Sequence, residues 1–271
     1  MQLPDANNIK TSFNENGYYI FNDSVADIEL VENARVGIDK IRNGDYDTGK
    51  PLEPSPWNPG DDSNVLCKIE QPQIVNRAIA DLITSSQIGA LAAKAADAEM
   101  IQVWWVQLLY KPSIVFDSKS ETKVGWHQDW TYWKNDWQDG SNLFTGWIAL
   151  SEIAEKSGPM KFIKKSHRWG EFAEGDFFNQ NNSRNDFRLK PGQIWDEISA
   201  VMSAGGMSFH DKLLLHGSSY NTSNEPRCSL AIHLRSEKSK PLSNERGILT
   251  KYIDDLEICP IIYGNKFNAA F

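Results

Sequence analysis

The spacing of apolar positions changes character near residue 100. Before it, Val25, Ile28, Val31, Ile38 and Ile41 recur at mostly helical spacing, so 24–43 reads as an amphipathic helix that Ser24 can cap. Residues 10–21 read as a helix that breaks at Gly17 and leads into a short strand, Tyr18–Phe21. The Gly-, Pro-, Asp- and Asn-rich stretch 44–64 reads as loop. Pro72–Thr84 and Ser86–Ala98 are two more helical stretches, the second Ala-rich and so helix-favouring. After it, β-branched and aromatic runs take over: Met100–Leu109, Phe144–Ile153, and the shorter Met160–Ile163, Gly206–His210 and Cys228–Arg235. Turn residues such as Lys111-Pro112, Asp139-Gly140, Ser157-Gly158-Pro159 and Gly205-Gly206 separate them.

Helices first and short strands afterwards predict a mainly β fold, with an all-β core and N-terminal helices packed on it. No flexible tract marks the change, so 1–271 is expected to be a single domain, with 1–99 mostly helical cover and the core over 100–240. The polar stretch 170–204 reads as an insertion able to act as a lid.

Composition narrows the partners. The formal net charge of −8 argues against nucleic acid or an anionic membrane surface and leaves a small-molecule substrate. No apolar run approaches the roughly 18 residues of a membrane span. Met1–Asn8 has no basic segment followed by an apolar stretch, so no secretory signal is expected. Cys67, Cys228 and Cys259 form no CxxC pair and read as buried, reduced thiols of a cytoplasmic protein. Monomer and homodimer are equally compatible with this composition.

The candidate chemistry lies in two segments, Gly125-Trp126-His127-Gln128-Asp129-Trp130 and Leu214-Leu215-His216-Gly217-Ser218-Ser219, followed by Arg227. Two histidines and a carboxylate can hold Fe(II) on one face of an octahedron and leave the other face open, although zinc sites use the same set. In an extended segment His127 and Asp129, two residues apart, point to one side. His216 then has to come from a strand adjacent in space. Arg227 is placed to receive a carboxylate co-substrate, which a metal-dependent hydrolase or isomerase on a cupin-like barrel does not need. A binding module whose tryptophans stack a ligand is a third reading, without metal.

The chain resembles the phytanoyl-CoA dioxygenase family of Fe(II)- and 2-oxoglutarate-dependent oxygenases. Similar to that family are Phe13–Ile20, Gln107-Leu108-Leu109-Tyr110-Lys111-Pro112, Trp126-His127-Gln128-Asp129, Trp147–Leu150, Ser157–Ile163 with Ser166-His167, and Ser208 through His216-Gly217-Ser218 to Arg227. These motifs run in the family's order over about 13–236. Lys164-Lys165 departs from it, standing where the family usually has a small or Pro-Gly segment. The resemblance implies a double-stranded β-helix, the jelly-roll, cupin-like core of these oxygenases. It implies His127, Asp129 and His216 as ligands of Fe(II), with O2 as the oxidant. Arg227 would pair in bidentate fashion with the distal carboxylate of 2-oxoglutarate, Ser218 would add a hydroxyl, and Gln107 would reach the co-substrate from the neighbouring strand. Gln107 as an ordinary strand residue and Ser218 as a turn former remain open.

The resemblance also implies the reaction. Related halogenases have Ala or Gly where Asp129 stands, so its presence favours hydroxylation, with 2-oxoglutarate leaving as succinate and CO2. Desaturation and ring closure share the first hydrogen abstraction and remain open. A small polar metabolite is the expected substrate. Trp126, Trp130, Tyr132, Trp133 and Trp137 crowd around the first two ligands. Trp133 falls where the ectoine hydroxylase branch places a substrate-contacting Trp, and Trp130 is a second candidate. That branch's acidic signature is absent, so ectoine itself is not expected. Strand alternation puts Ser229, Ala231, His233 and Arg235 on one face, and Arg235 or His233 can meet an anionic substrate group there. Packing roles are expected for His167 and His210, and Lys111 serves either the co-substrate or a solvent-facing strand end.

Overall fold

The computed structural model describes residues 6–113 and 122–265; the first residues of the segment read for a leader lie outside that range. In chain order the elements are α1 (Ala6–Asn16), β1 (Tyr18–Phe21), α2 (Ile28–Arg42), β2 (Cys67–Glu70), α3 (Arg77–Ile83), α4 (Ser86–Ala96), β3 (Ile101–Lys111), β4 (Val124–His127), α5 (Trp130–Trp133), β5 (Leu143–Ala149), β6 (Met160–Ile163), β7 (Glu197–Ser199), β8 (Met207–Asp211), β9 (His216–Ser218), β10 (Arg227–Ser236) and β11 (Ile261–Tyr263). A seven-stranded sheet runs β1-β8-β5-β10-β3-β11, with β2 also paired to β3, and a four-stranded sheet runs β4-β9-β6-β7. Every pairing is antiparallel. This is the curled, cupin-like β core expected from the resemblance.

Alternation along the long strands assigns the two faces. Val103, Val106, Leu108, Phe144, Ile148, Leu230, Ile232 and Leu234 face the helices, where Ile38, Ile41, Leu82 and Leu91 meet them in one buried cluster. The opposite face carries Leu109, Trp147, Ala149 and Ala231 against Met160 and Phe162 of the small sheet. A sheet covered on both faces reads as continuous apolar runs, which is why β3, β5 and β10 stand out in the sequence. One irregularity matters for the site. His233 pairs with Trp105 and Leu234 with Val103, so Trp104 is an extra residue on β3. Such a bulge re-aims side chains. Both Trp104 and Trp105 consequently face the space between the sheets.

Local chemistry shifts several predicted boundaries. The helix expected from residue 24 begins at Ile28, because the Asp27 side chain accepts from the Glu29 amide (2.9 Å). Ser24 Oγ instead donates to the Ala26 carbonyl (2.8 Å). The stretch 72–84 splits into a 3-10 turn at Pro72–Ile74 and α3, which Asn76 caps by accepting from the Ile79 amide (3.1 Å). Gly17 ends α1 at φ +85°, with its amide on the Phe13 carbonyl (2.9 Å); a Cβ there would meet the His167 ring. His167 packs on this turn, with Nε2 3.1 Å from the Asn14 carbonyl. Lys165, at the departure from the family pattern, takes the left-handed φ of +68° that a glycine adopts without strain.

The N-terminal segment also supplies strands β1 and β2 to the large sheet, so strand pairing crosses the change of pattern at residue 100. Within 170–204, β7 joins the small sheet, and β11 pairs with β3 beyond residue 240. The three cysteines are buried and unpaired, and burial pushes the Cys67, Cys228 and Cys259 thiols up to about 12, 11 and 12. They stay protonated at neutral pH.

Candidate active site

His127 ends β4 and His216 begins β9, and the two are direct partners in the register, with ring centroids 4.1 Å apart. The Nδ1 of His127 lies 2.8 Å from the Gly125 carbonyl, and that of His216 lies 2.9 Å from the Leu214 carbonyl. A carbonyl can only accept, so each Nδ1 carries the proton and each Nε2 turns a lone pair inward. Asp129 arrives by another route. It is not extended: its backbone is helical (φ −58°, ψ −35°) and it opens α5. The chain turns after His127, and the buried Gln128 pins that turn. Its amide donates to the Gly170 (2.9 Å) and Leu213 (2.6 Å) carbonyls, and its oxygen accepts from the Phe172 amide (2.9 Å). The Asp129 carboxylate thereby swings back to place Oδ1 3.8 Å from His127 Nε2 and 3.7 Å from His216 Nε2. Ligand atoms of the three residues all lie within 4.8 Å of one another, a separation one metal ion bridges. Asp129 Oδ2 accepts from Thr145 Oγ1 (2.7 Å), and that hydroxyl meets His233 Nδ1 at 2.9 Å. His210 does more than pack, with its Nε2 3.6 Å from the same oxygen.

Burial sets the charges of this group. It holds His127 below the usual imidazole range against the pull of Asp129, and it lowers His216 further with His127 alongside. Burial works against ionisation of Asp129, but the surrounding His216, His210 and His233 outweigh it and hold the carboxyl well below its usual range. Two neutral imidazoles and one carboxylate form a donor set that suits Fe(II) and leaves the site cationic once it is filled.

On the other side of the cavity Arg227 opens β10 and is fully buried. Its NH1 donates to the Gly158 carbonyl (2.6 Å), and its guanidinium carbon lies 5.2 Å from the Trp147 ring centre. Among the described residues its Nε and NH2 have no hydrogen-bond partner. Lys111, opposite Arg227 in the register, is also fully buried, which removes the solvent-facing reading. Its Nζ donates to Ser218 Oγ (2.7 Å) and to the Ser219 carbonyl (2.5 Å). Burial lowers both cations, Arg227 to about 10 and Lys111 well below its usual value with Arg227 beside it. A buried guanidinium with two unpaired nitrogens is costly unless an anion completes it. A carboxylate has the charge and the paired acceptor oxygens to be that complement.

One cavity of about 210 Å³ joins these two parts; Phe177 packs on the His127 ring (5.2 Å between centroids), and the cavity is lined further by Trp104, Trp105, Trp133, His233, Leu249, Lys68, Glu70 and the exposed Phe178. Gln107 lines it, with its amide 3.4 Å from Glu70 Oε1, and so does Trp133. Trp130 does not; it is buried beneath Lys212, whose ammonium lies 3.9 Å from its ring centre. Arg235 is held away from the cavity by Gln102 Oε1 (2.7 Å) and the Ser239 carbonyl (3.4 Å). Ser218 Oγ is engaged by Lys111. Thr145, Trp105, Lys68, Glu70, Phe177, Phe178 and Leu249 were not singled out by sequence reasoning. Trp105 and Thr145 each lie two positions before an inward-facing residue, Gln107 and Trp147, and alternation alone can find them. Nothing local marks Phe177, Phe178 or Leu249.

Two antiparallel sheets that hold two histidines and a carboxylate between them define a cupin-like, metal-dependent oxygenase core. The chain belongs to the phytanoyl-CoA dioxygenase family, whose model matches residues 13–229. That is a family of iron enzymes that use 2-oxoglutarate and O2, so the cofactors follow from membership and from the His-Asp-His site. Among solved structures the fold is similar to the non-heme α-ketoglutarate-dependent carbocyclase SnoK from nogalamycin biosynthesis (TM-score 0.70, 18% identity, 97% of this chain and 100% of that one). It is also similar to the epimerase SnoN in complex with Fe3+, α-ketoglutarate and nogalamycin RO (TM-score 0.67, 20% identity, 90% and 88%). A third is EvdO2 from Micromonospora carbonacea var. aurantiaca complexed with 2-oxoglutarate (TM-score 0.63, 18% identity, 92% and 96%). No curated protein matches the chain by sequence. Among the described residues no helix is long and apolar enough to cross a membrane.

Proposed function

We propose that this enzyme is an Fe(II)- and 2-oxoglutarate-dependent hydroxylase of a small molecule. One juxtaposition carries the reading: ligand atoms of His127, Asp129 and His216 within 4.8 Å of one another, in the same cavity as a buried Arg227 with two unpaired nitrogens. His127, Asp129 and His216 hold the iron. Arg227 binds the distal carboxylate of 2-oxoglutarate, and Lys111 adds a second positive charge relayed by Ser218. Bound iron supplies the redox chemistry that couples decarboxylation of 2-oxoglutarate by O2 to oxidation of a substrate C–H bond. The protein's part is positional. Thr145 holds one oxygen of Asp129, Gln128 holds the turn, and the tryptophans on the outer side keep water from the reacting carbon. Asp129 occupies the place that a halide would need, which supports hydroxylation over halogenation. The helical cover and the core act as one catalytic domain, because β1 and β2 are strands of the large sheet. Anaerobic addition of Fe(II) and 2-oxoglutarate should give the weak visible charge-transfer band of the chelate. A screen for succinate release, read with a product heavier by one oxygen atom, then identifies the substrate. Iron-bound, folded protein without that band overturns the reading.

A further inference from the structure

The outer part of the cavity has a charge pattern of its own. Strand β2 places Lys68 and Glu70 two residues apart on one face, and both line the cavity with side chains only 12% exposed. Lys68 Nζ lies 2.5 Å from Glu70 Oε1. Glu70 Oε2 accepts from Trp105 Nε1 (2.6 Å), and the Gln107 amide stands 3.4 Å from Oε1. Lys68 also sits 5.1 Å from the Phe177 ring centre. The pair is neutral as a whole, so an anionic substrate group drawn to Lys68 meets Glu70, and an ammonium drawn to Glu70 meets Lys68. Hydrogen-bonding capacity nevertheless remains. A carboxylate has about four acceptor positions and an ammonium has three N–H groups. Glu70 has three donors near it, and Lys68 spends one N–H on Glu70. A hydroxyl, which donates and accepts at once, satisfies both without a charge penalty. The neighbouring walls are rings: Trp104, Trp105 and Trp133, with Phe177 against the His127 ring (5.2 Å between centroids) and Phe178 at the exposed rim. Phe178 is 60% exposed although it lines the cavity, an apolar face that a flat ligand would cover.

We infer that the primary substrate is a neutral, flat ring compound bearing a hydroxyl group, which Lys68 and Glu70 grip while its ring lies against the tryptophans and the Phe177-Phe178 pair. This narrows the small polar metabolite expected from the sequence to one with a flat ring and no charge. It rests on the oxygenase reading for which carbon faces the iron, but binding at Lys68 and Glu70 does not require iron. The test therefore uses calorimetric titration of the iron-free protein with 2-naphthalenemethanol, 2-naphthoate, 2-naphthylmethylammonium and the saturated decahydro analogue of the alcohol. The flat alcohol should bind at least about tenfold tighter than each of the other three. Lys68→Met should shift the preference towards the ammonium probe, and Glu70→Gln towards the carboxylate, each by about tenfold. A charged or saturated probe that binds wild-type protein as tightly as the flat alcohol overturns the inference, and so does a ranking that both substitutions leave unchanged. The wild-type ranking decides even if a variant fails to fold. The charge-transfer band reports separately on the oxygenase reading, so either can fail alone.

Discussion

Thr145 donates a 2.7 Å hydrogen bond to Asp129 and so decides which carboxylate oxygen faces the histidines. A hydroxyl has one proton to give, and here it goes to Asp129 Oδ2. The Thr145 oxygen then accepts from His233 Nδ1, 2.9 Å away. With Oδ2 engaged, Oδ1 is the oxygen presented to His127 and His216.

Thr145→Val removes this donor and leaves Asp129 Oδ2 and His233 Nδ1 without it. Loss of an outer-shell partner of this kind weakens metal binding about 10- to 100-fold. The expected result is that loss in Fe(II) affinity, measured by competition with a chelator, with most of the affinity retained in Thr145→Ser. Unchanged binding in the valine variant would show that Asp129 does not depend on the clamp.

Arg227→Ala is expected to raise the 2-oxoglutarate concentration needed for the charge-transfer band by about 100-fold, the effect of truncating one partner of a buried charged pair. Fe(II) affinity should change only a few-fold, and Arg227→Lys should fall between, since an ammonium lacks the bidentate fork. Equal losses for iron and co-substrate would contradict the division of roles.

Gly158 holds Arg227 through its carbonyl and sits at φ +65°, where a Cβ would come within 2.5 Å of the Ser219 carbonyl oxygen. Gly158→Ala should therefore lower stability by about 1–3 kcal/mol and displace Arg227. Thermal melts and 2-oxoglutarate titrations check both parts. A variant that melts earlier yet binds 2-oxoglutarate normally would show that the Gly158 contact does not position Arg227.

Burial pushes the His233 imidazole down to about 4, against the opposing pull of Asp129. The unfolded chain binds that proton first, near pH 6.5, so this contribution to stability is fully present above pH 6.5 and is lost as pH falls through about 4. The difference corresponds to about 3 kcal/mol. His127 and His216, also lowered by burial, act in the same direction. Iron-free protein should melt at progressively lower temperature between pH 6.5 and 4, and His233→Gln should flatten that slope. An equally steep slope in the variant would place its origin in the other buried groups.

The long elements were legible because each buries enough side chains to reveal a period. Helices α2 and α4 and strands β3, β5 and β10 are of this kind. Strands β7 and β11 have three residues each, too few to show alternation, and were missed along with β2; β4 and β9 were expected only from the ligands they carry, His127 and His216. The helix predicted from Ser24 started late because Asp27 offers the better cap, a competition between neighbouring polar side chains that apolar spacing does not record.

By itself the sequence determined the order of helices and strands, the metal-binding residue types and the Arg that follows them, since each is written in local spacing or in side-chain chemistry. Only the tertiary structure decided how they meet. Extended geometry was expected to turn His127 and Asp129 to one side, yet a helical turn pinned by Gln128 to Gly170 and Leu213 does so. A bulge at Trp104 turns two adjacent tryptophans into the cavity, and β2 brings Lys68 and Glu70 to the same wall as Trp105. These relationships join residues tens of positions apart, and the contacts that fix them arise only when the sheets close on each other.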